Sequence, residues 1–119
     1  MMKYLISILV FLSATAFAGT LQCTGTVEKL GLHSNDRILL KLSSMNNAVF
    51  ICNPNANWSV PGTGYQTSPE TCMAMLSMLM HAKATESEMG QVWFDGDNVP
   101  SSCNSWQSWQ SVNVRYFLY

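Results

Sequence analysis

The chain is short of charge. Of its 119 residues only 11% are Asp, Glu, Lys or Arg, and the formal net charge is −1 at pH 7. No run of basic residues occurs. Phosphate backbones are held by clustered Lys and Arg, so nucleic acid is not an expected partner. Histidine is scarce as well, with His33 and His81 standing alone. The four cysteines, Cys23, Cys52, Cys72 and Cys103, are far apart, and there is no Cys-x-x-Cys. That spacing speaks against a zinc site and against a thioredoxin-like redox role, so neither a metal nor a cofactor is expected. G-x-S-x-G and H-E-x-x-H are missing too. Asp95-Gly96-Asp97 begins like a calcium loop, but the pattern fails after its third residue. No enzyme is expected.

Long apolar runs are also lacking, with one exception at the start. Lys3 precedes an apolar run from Tyr4 to Leu12, followed by Ser13-Ala14-Thr15-Ala16-Phe17-Ala18. A charged start, an apolar centre and an A-x-A end make a secretory signal peptide over 1–18, cleaved after Ala18. The run is too short to cross a bilayer, so no membrane span is expected. Residues 19–119 then form a single domain, secreted or periplasmic. Without Lys3 its net charge falls from −1 to about −2. An exported domain of this size gains from covalent ties, and four cysteines give two disulfides.

What the chain does have is one clear helix among short strands. Ser68 can cap it, Pro69 suits its first position, and Glu70 suits its positive end. The helical pattern runs to Glu86, and Gly90 stops any continuation. Before it, Thr20–Leu32 alternates through Leu21, Cys23, Gly25 and Val27, then shifts phase to Leu30 and Leu32. A phase shift with a glycine inside predicts a long bent strand with a bulge. Turns at 33–36 and 43–47 separate it from strands at 37–42 and 48–52. After the helix, strands are expected at 91–95 and 112–119. The expected fold is mainly β with one helix, an OB-fold-like five-stranded barrel in the order β-β-β-α-β-β, with an α+β sandwich as the other arrangement of that string.

Two long loops remain, 53–67 and 96–111, rich in Pro, Gly, Asn, Ser and Gln. Loops this long in a small domain are often functional. Trp58 and Tyr65 lie in the first, Trp106 and Trp109 in the second. Aromatic faces flanked by amides and hydroxyls suit sugars, which stack their C–H side and hydrogen-bond their hydroxyls. Trp58, Tyr65 and Trp106 are therefore the expected ligand-binding residues. The competing expectation is that some of these rings only close the barrel ends.

The Gly25-Thr26-Val27 start, a cysteine ending the third strand and the helix T-C-M-A-M-L-S-M-L-M-H-A-K-A are the first parts of a resemblance. A cysteine before the last strand and the ending V-N-V-R-Y-F-L-Y complete it. Together they resemble the small secreted bacterial OB-fold proteins similar to the B subunit of subtilase cytotoxin. The resemblance implies a pentameric ring, host-cell sialylated glycans as ligands and a toxic A subunit as partner. None of that family's glycan-binding residues is carried over. The expected function is thus a non-enzymatic binding module, a glycan-binding toxin B-subunit-like protein. A periplasmic inhibitor or structural partner using the same Trp-rich loops is the alternative.

Two further expectations concern pairings. Of three possible disulfide arrangements, Cys52 with Cys103 and Cys23 with Cys72 is the expected one. On the helix, Cys72, Met73, Leu76, Leu79, Met80 and the stem of Lys83 share the expected core face. Met75, Met78 and Ala82 form a spare apolar stripe, expected to be the interface of a homo-oligomer.

Overall fold

A computed structural model of the chain describes residues 19–119, so the expected signal peptide lies outside the described residues. Six strands and one helix follow in order: β1 (Gly19–His33), β2 (Arg37–Leu42), β3 (Val49–Cys52), α1 (Pro69–Ala84), β4 (Glu88–Gly96), β5 (Gln110–Ser111) and β6 (Asn113–Leu118). The fold is mainly β with one helix, as expected, but the strand count differs. The closing strand expected at 112–119 is β6, and β5 is an extra short strand at the end of the expected 96–111 loop, separated from β6 by Val112.

That break shapes the sheet, whose order is β5-β3-β2-β1-β4-β6. β5 lies parallel to β3 at one edge, and β6 lies antiparallel to β4 at the other. The two edge strands are therefore successive pieces of one segment, and the sheet is curled into a half-barrel. β1 serves both halves. Its Gly19–Thr26 part pairs with β4 and its Val27–His33 part with β2. Register shifts fall between Cys23 and Gly25 and between Val27 and Lys29, where the sequence shifts phase. Gly25 sits at φ +122°, and a Cβ there would strike the Ser43 hydroxyl, so this bend needs glycine. The β1–β2 hairpin turns through Asn35 and Asp36, both left-handed at φ 66° and 58°, which Asn and Asp tolerate well.

Inside, Ile38, Leu40 and Leu42 of β2 meet Val49 and Ile51 of β3 and Val92 and Phe94 of β4. The helix closes this core. Its Ser68 hydroxyl accepts the Thr71 N–H at 3.2 Å, the expected cap, and Pro69 is its first residue. Its rotation, however, is a correction. The buried residues are Cys72, Met75, Leu79 and Ala82, a 3-4-3 spacing, whereas Met73 and Met80 are exposed. Met75 and Ala82 thus lie in the protein's own core and cannot form an oligomer interface; Met78 alone of that stripe is exposed. The expected and the observed core faces share Cys72 and Leu79, so the Cys72 disulfide is compatible with both, and the small, fully buried Ala82 lies on the side that packs against the sheet.

The disulfide pairing is a second correction. Cys23 bonds Cys103 and Cys52 bonds Cys72, with Cα–Cα separations of 5.9 and 5.6 Å. The 53–67 loop folds back on itself, with Trp58 and Thr67 exchanging backbone hydrogen bonds of 2.9 and 3.0 Å. It therefore delivers the first helical turn to the end of β3, so Cys52 meets Cys72. The 97–109 loop instead crosses the outer half of β1, where Cys23 meets Cys103. Chain separations of 20 and 80 residues correspond to about 3 and about 4.5 kcal/mol of stabilisation in the loop-entropy model. Two disulfides with no free cysteine among the described residues fit an oxidising compartment outside the cytoplasm.

Candidate functional site

The two long loops meet, but not as a single surface of exposed aromatics. Trp106 is a core residue with 2% of its surface exposed. Its ring meets Phe94 edge-on at 5.1 Å. Its backbone is clamped from sixty residues away: its N–H donates to Asn46 Oδ1 at 2.8 Å, and its carbonyl accepts from Asn46 and Asn47 at 3.0 and 2.8 Å. Trp58 is half-buried and donates its indole N–H to the Val112 carbonyl at 2.8 Å. It straps the first loop to the break between β5 and β6. Of the expected ligand-binding residues, Trp106 is therefore a core plug and Trp58 mainly a strap.

Tyr65 belongs to a polar pocket of about 320 Å³ built around Asp95, which is buried. The Asp95 carboxylate accepts four bonds. Tyr65 donates its hydroxyl at 2.6 Å, Trp93 its indole N–H at 3.0 Å, and Arg115 its Nε and Nη2 at 2.9 Å each. The Arg115 guanidinium also lies 4.5 Å from the centre of the Trp93 ring. Burial, reinforced by the bond to Asp95, raises the Tyr65 hydroxyl above the usual phenol range, so it stays a donor. The bond to Asp95 likewise raises the Arg115 guanidinium, keeping its charge in place. Beneath them, buried Asn113 donates to Thr63 Oγ1 at 2.9 Å and accepts from Thr67 at 3.0 Å. The Asp95 carboxylate, the Tyr65 hydroxyl, the Trp93 indole N–H and the Asn113 amide are all matched within the protein, and the result is a clasp on the 53–67 loop.

The second place where the loops meet is different. Trp109 is 57% exposed and stands at φ +58°, a left-handed backbone that a tryptophan seldom adopts. Its N–H donates to the Ala48 carbonyl at 3.1 Å. Its ring is met edge-on by His33 at 4.8 Å and by Phe50 at 5.9 Å. Phe50, the one residue of β3 outside the main core cluster, is covered in turn by the Arg37 guanidinium at 4.3 Å. Beside Trp109 opens a cleft of about 340 Å³. Val60 and Pro61 come from the first loop; Asp97, Asn98, Gln107, Ser108, Gln110 and Ser111 come from the β4 end and the second loop.

The polar groups of this cleft are mostly unspent. Among the described residues, the side chains of Asp97, Asn98, Gln107, Ser108 and Ser111 make no hydrogen bond within the protein. Gln110 donates its amide to the Asn98 carbonyl, which leaves its Oε1 buried with no partner. Gly62, at φ +86°, lets the first loop pass directly under the Asp97 carboxylate, where a Cβ would collide. The arrangement offers one flat apolar face, several amides and hydroxyls, and one carboxylate.

Sequence reasoning thus chose the buried member of a repeat. Trp106-Gln107-Ser108 and Trp109-Gln110-Ser111 are the same tripeptide, and one tryptophan turns in while the other turns out. The outward one directly precedes β5, where the chain must already follow the sheet edge. Elsewhere, the helix and sheet leave an apolar groove of about 440 Å³ lined by Leu30, Leu32, Ile38, Pro54, Met73, Leu76 and Met80. Among the described residues no three of His, Cys, Asp and Glu converge as a metal-binding group. A scan against protein-family models and searches of curated proteins and of solved structures find no match to this chain.

Proposed function

We propose that the protein is an exported binding module that takes a glycan in the Trp109 cleft. One observation carries this reading: an exposed tryptophan stands among amide, hydroxyl and carboxylate groups that nothing in the protein satisfies. A sugar stacks its C–H face on such a ring and fills such groups with its hydroxyls. The half-barrel is read as an OB-fold-like barrel, with β5 and β6 as its closing segment. A toxin B-subunit-like role, carrying an A-type subunit, rests on the sequence resemblance alone. A homo-oligomer of this protein would not use Met75 and Ala82, which are taken up by the core, and the exposed Met73, Met80 and Leu32 face is open to it.

That same apolar face favours a second reading, a module that binds a protein partner. A glycan panel probed with wild type and with Trp109→Ala separates the two. Sugar binding lost in Trp109→Ala, with the melting temperature kept, supports the glycan reading. No sugar binding by a folded wild type sinks it and leaves the protein-binding reading.

A further inference from the structure

From the charge and hydrogen-bonding balance of the cleft we infer that its ligand is an uncharged terminal sugar, not the acidic sugar that the resemblance implies. The inference rests on the glycan reading and narrows it. No lysine or arginine lines the cleft, and its one charged group is the Asp97 carboxylate. Arg115 is held by two bonds to Asp95 in the other pocket. Arg37 is stacked on Phe50, which separates it from the cleft lining.

The unspent groups also lean one way. Asp97 offers two acceptor oxygens and no donor, whereas Gln110 Oε1 is buried and one of the Gln110 amide hydrogens is used on the Asn98 carbonyl. Acceptors need donors. A pair of neighbouring sugar hydroxyls can donate two O–H groups to the two Asp97 oxygens. Asn98 and Gln107 can then donate back to the hydroxyl oxygens. A sugar carboxylate would instead bring two more acceptors and a like charge toward Asp97, with nothing in the lining to neutralise it. The cleft volume of about 340 Å³ lies at the small end for ligand sites, which suits one terminal ring.

The test uses matched glycans that differ only in a terminal sialic acid, presented to the disulfide-bonded protein. The uncapped glycan, ending in a neutral hexose, is expected to bind at least about fivefold more tightly than its sialylated counterpart. Asp97→Asn is expected to narrow that ratio at an unchanged melting temperature, and Trp109→Ala to lose binding of both. Equal or tighter binding of the sialylated form overturns the inference while leaving the glycan reading standing. Neutral-sugar binding that survives Trp109→Ala also overturns it, by placing the sugar elsewhere. Binding of neither glycan by a folded protein overturns both.

Discussion

The Asp95 pocket and the Trp109 cleft both draw on the 53–67 loop and have similar volumes, yet one is closed chemistry and the other open. Around Asp95 a buried carboxylate receives four donors, and the groups that could hold a ligand hold each other. Beside Trp109 the carboxylate, amides and hydroxyls face solvent unpaired, and one amide oxygen is buried without a partner. A buried polar group without a partner costs about 1–3 kcal/mol, and Gln110 Oε1 shares that state with Trp106 Nε1 and Arg37 Nε. The first region ties the 53–67 loop to the sheet, and the second leaves surface groups unpaired. Size and aromatic content alone would not have told them apart. The satisfaction of hydrogen bonds does.

The sharpest break between the regions is within the repeated Trp-Gln-Ser. Trp106→Ala empties a fully packed site beside Phe94 and should cost about 3–5 kcal/mol, the range for large aromatic deletions. Trp109→Ala should cost less than about 1 kcal/mol, because its ring is more than half exposed. Urea unfolding of the two variants measures the gap. Equal losses would mean that Trp109 is a core residue and the cleft a structural feature.

Asp95→Ala comes next. Removing the carboxylate strands the Tyr65 hydroxyl, the Trp93 indole N–H and Arg115 together. Arg115 is partly exposed and can turn to water, so the expected loss is about 2–3 kcal/mol rather than that of a fully buried pair. Glycan binding at the Trp109 cleft should be unchanged. Lost binding in a variant that still folds would join the two regions into one site.

A pH experiment reads the same clasp more gently. Tyr65 is held protonated in the folded protein by burial and by Asp95, while its unfolded value is about 10. Its folded value is the higher one, so the unfolded state loses its proton first on going alkaline. The stabilisation is complete below about pH 10 and fades as pH rises above it. Wild type should therefore lose more melting temperature between about pH 9 and about pH 11 than Tyr65→Phe does. Parallel curves would show that the Tyr65 hydroxyl is free.

How much of this could be read from the sequence follows from the range of each interaction. The helix start at Ser68 and Pro69 and the bend at Gly25 are local matters, and the local sequence carries them. The helix rotation is not local, because Met73/Leu76/Met80 and Met75/Ala82 are equally apolar and only the packing partner chooses. The disulfides fail for a similar reason: any pairing of four distant cysteines closes loops of comparable entropic value, and only the path of two loops decides. Trp106 and Trp109 have identical neighbours, and the difference lies in Asn46 and Asn47, sixty residues away. Asp95 and Arg115 meet because Asp95 pairs with Asn113 across β4 and β6, which places Arg115 two residues further along the same edge. None of those registers is written in a composition.

The smallest effect bears on why Trp109 stands where it does. At φ +58° a side chain with a Cβ pays roughly 1 kcal/mol that glycine avoids. The ring recovers part of that through its edge contacts with His33 and Phe50. Trp109→Gly removes both terms, so its stability should lie within about 1 kcal/mol of wild type and close to or above that of Trp109→Ala. Trp109→Ala keeps the strained backbone and loses the contacts, so it is the less stable of the two. Both variants should lose sugar binding alike. Thermal unfolding of the three proteins under one buffer gives the order directly. If Trp109→Gly proves clearly less stable than Trp109→Ala, the left-handed backbone at this position carries no strain that glycine relieves.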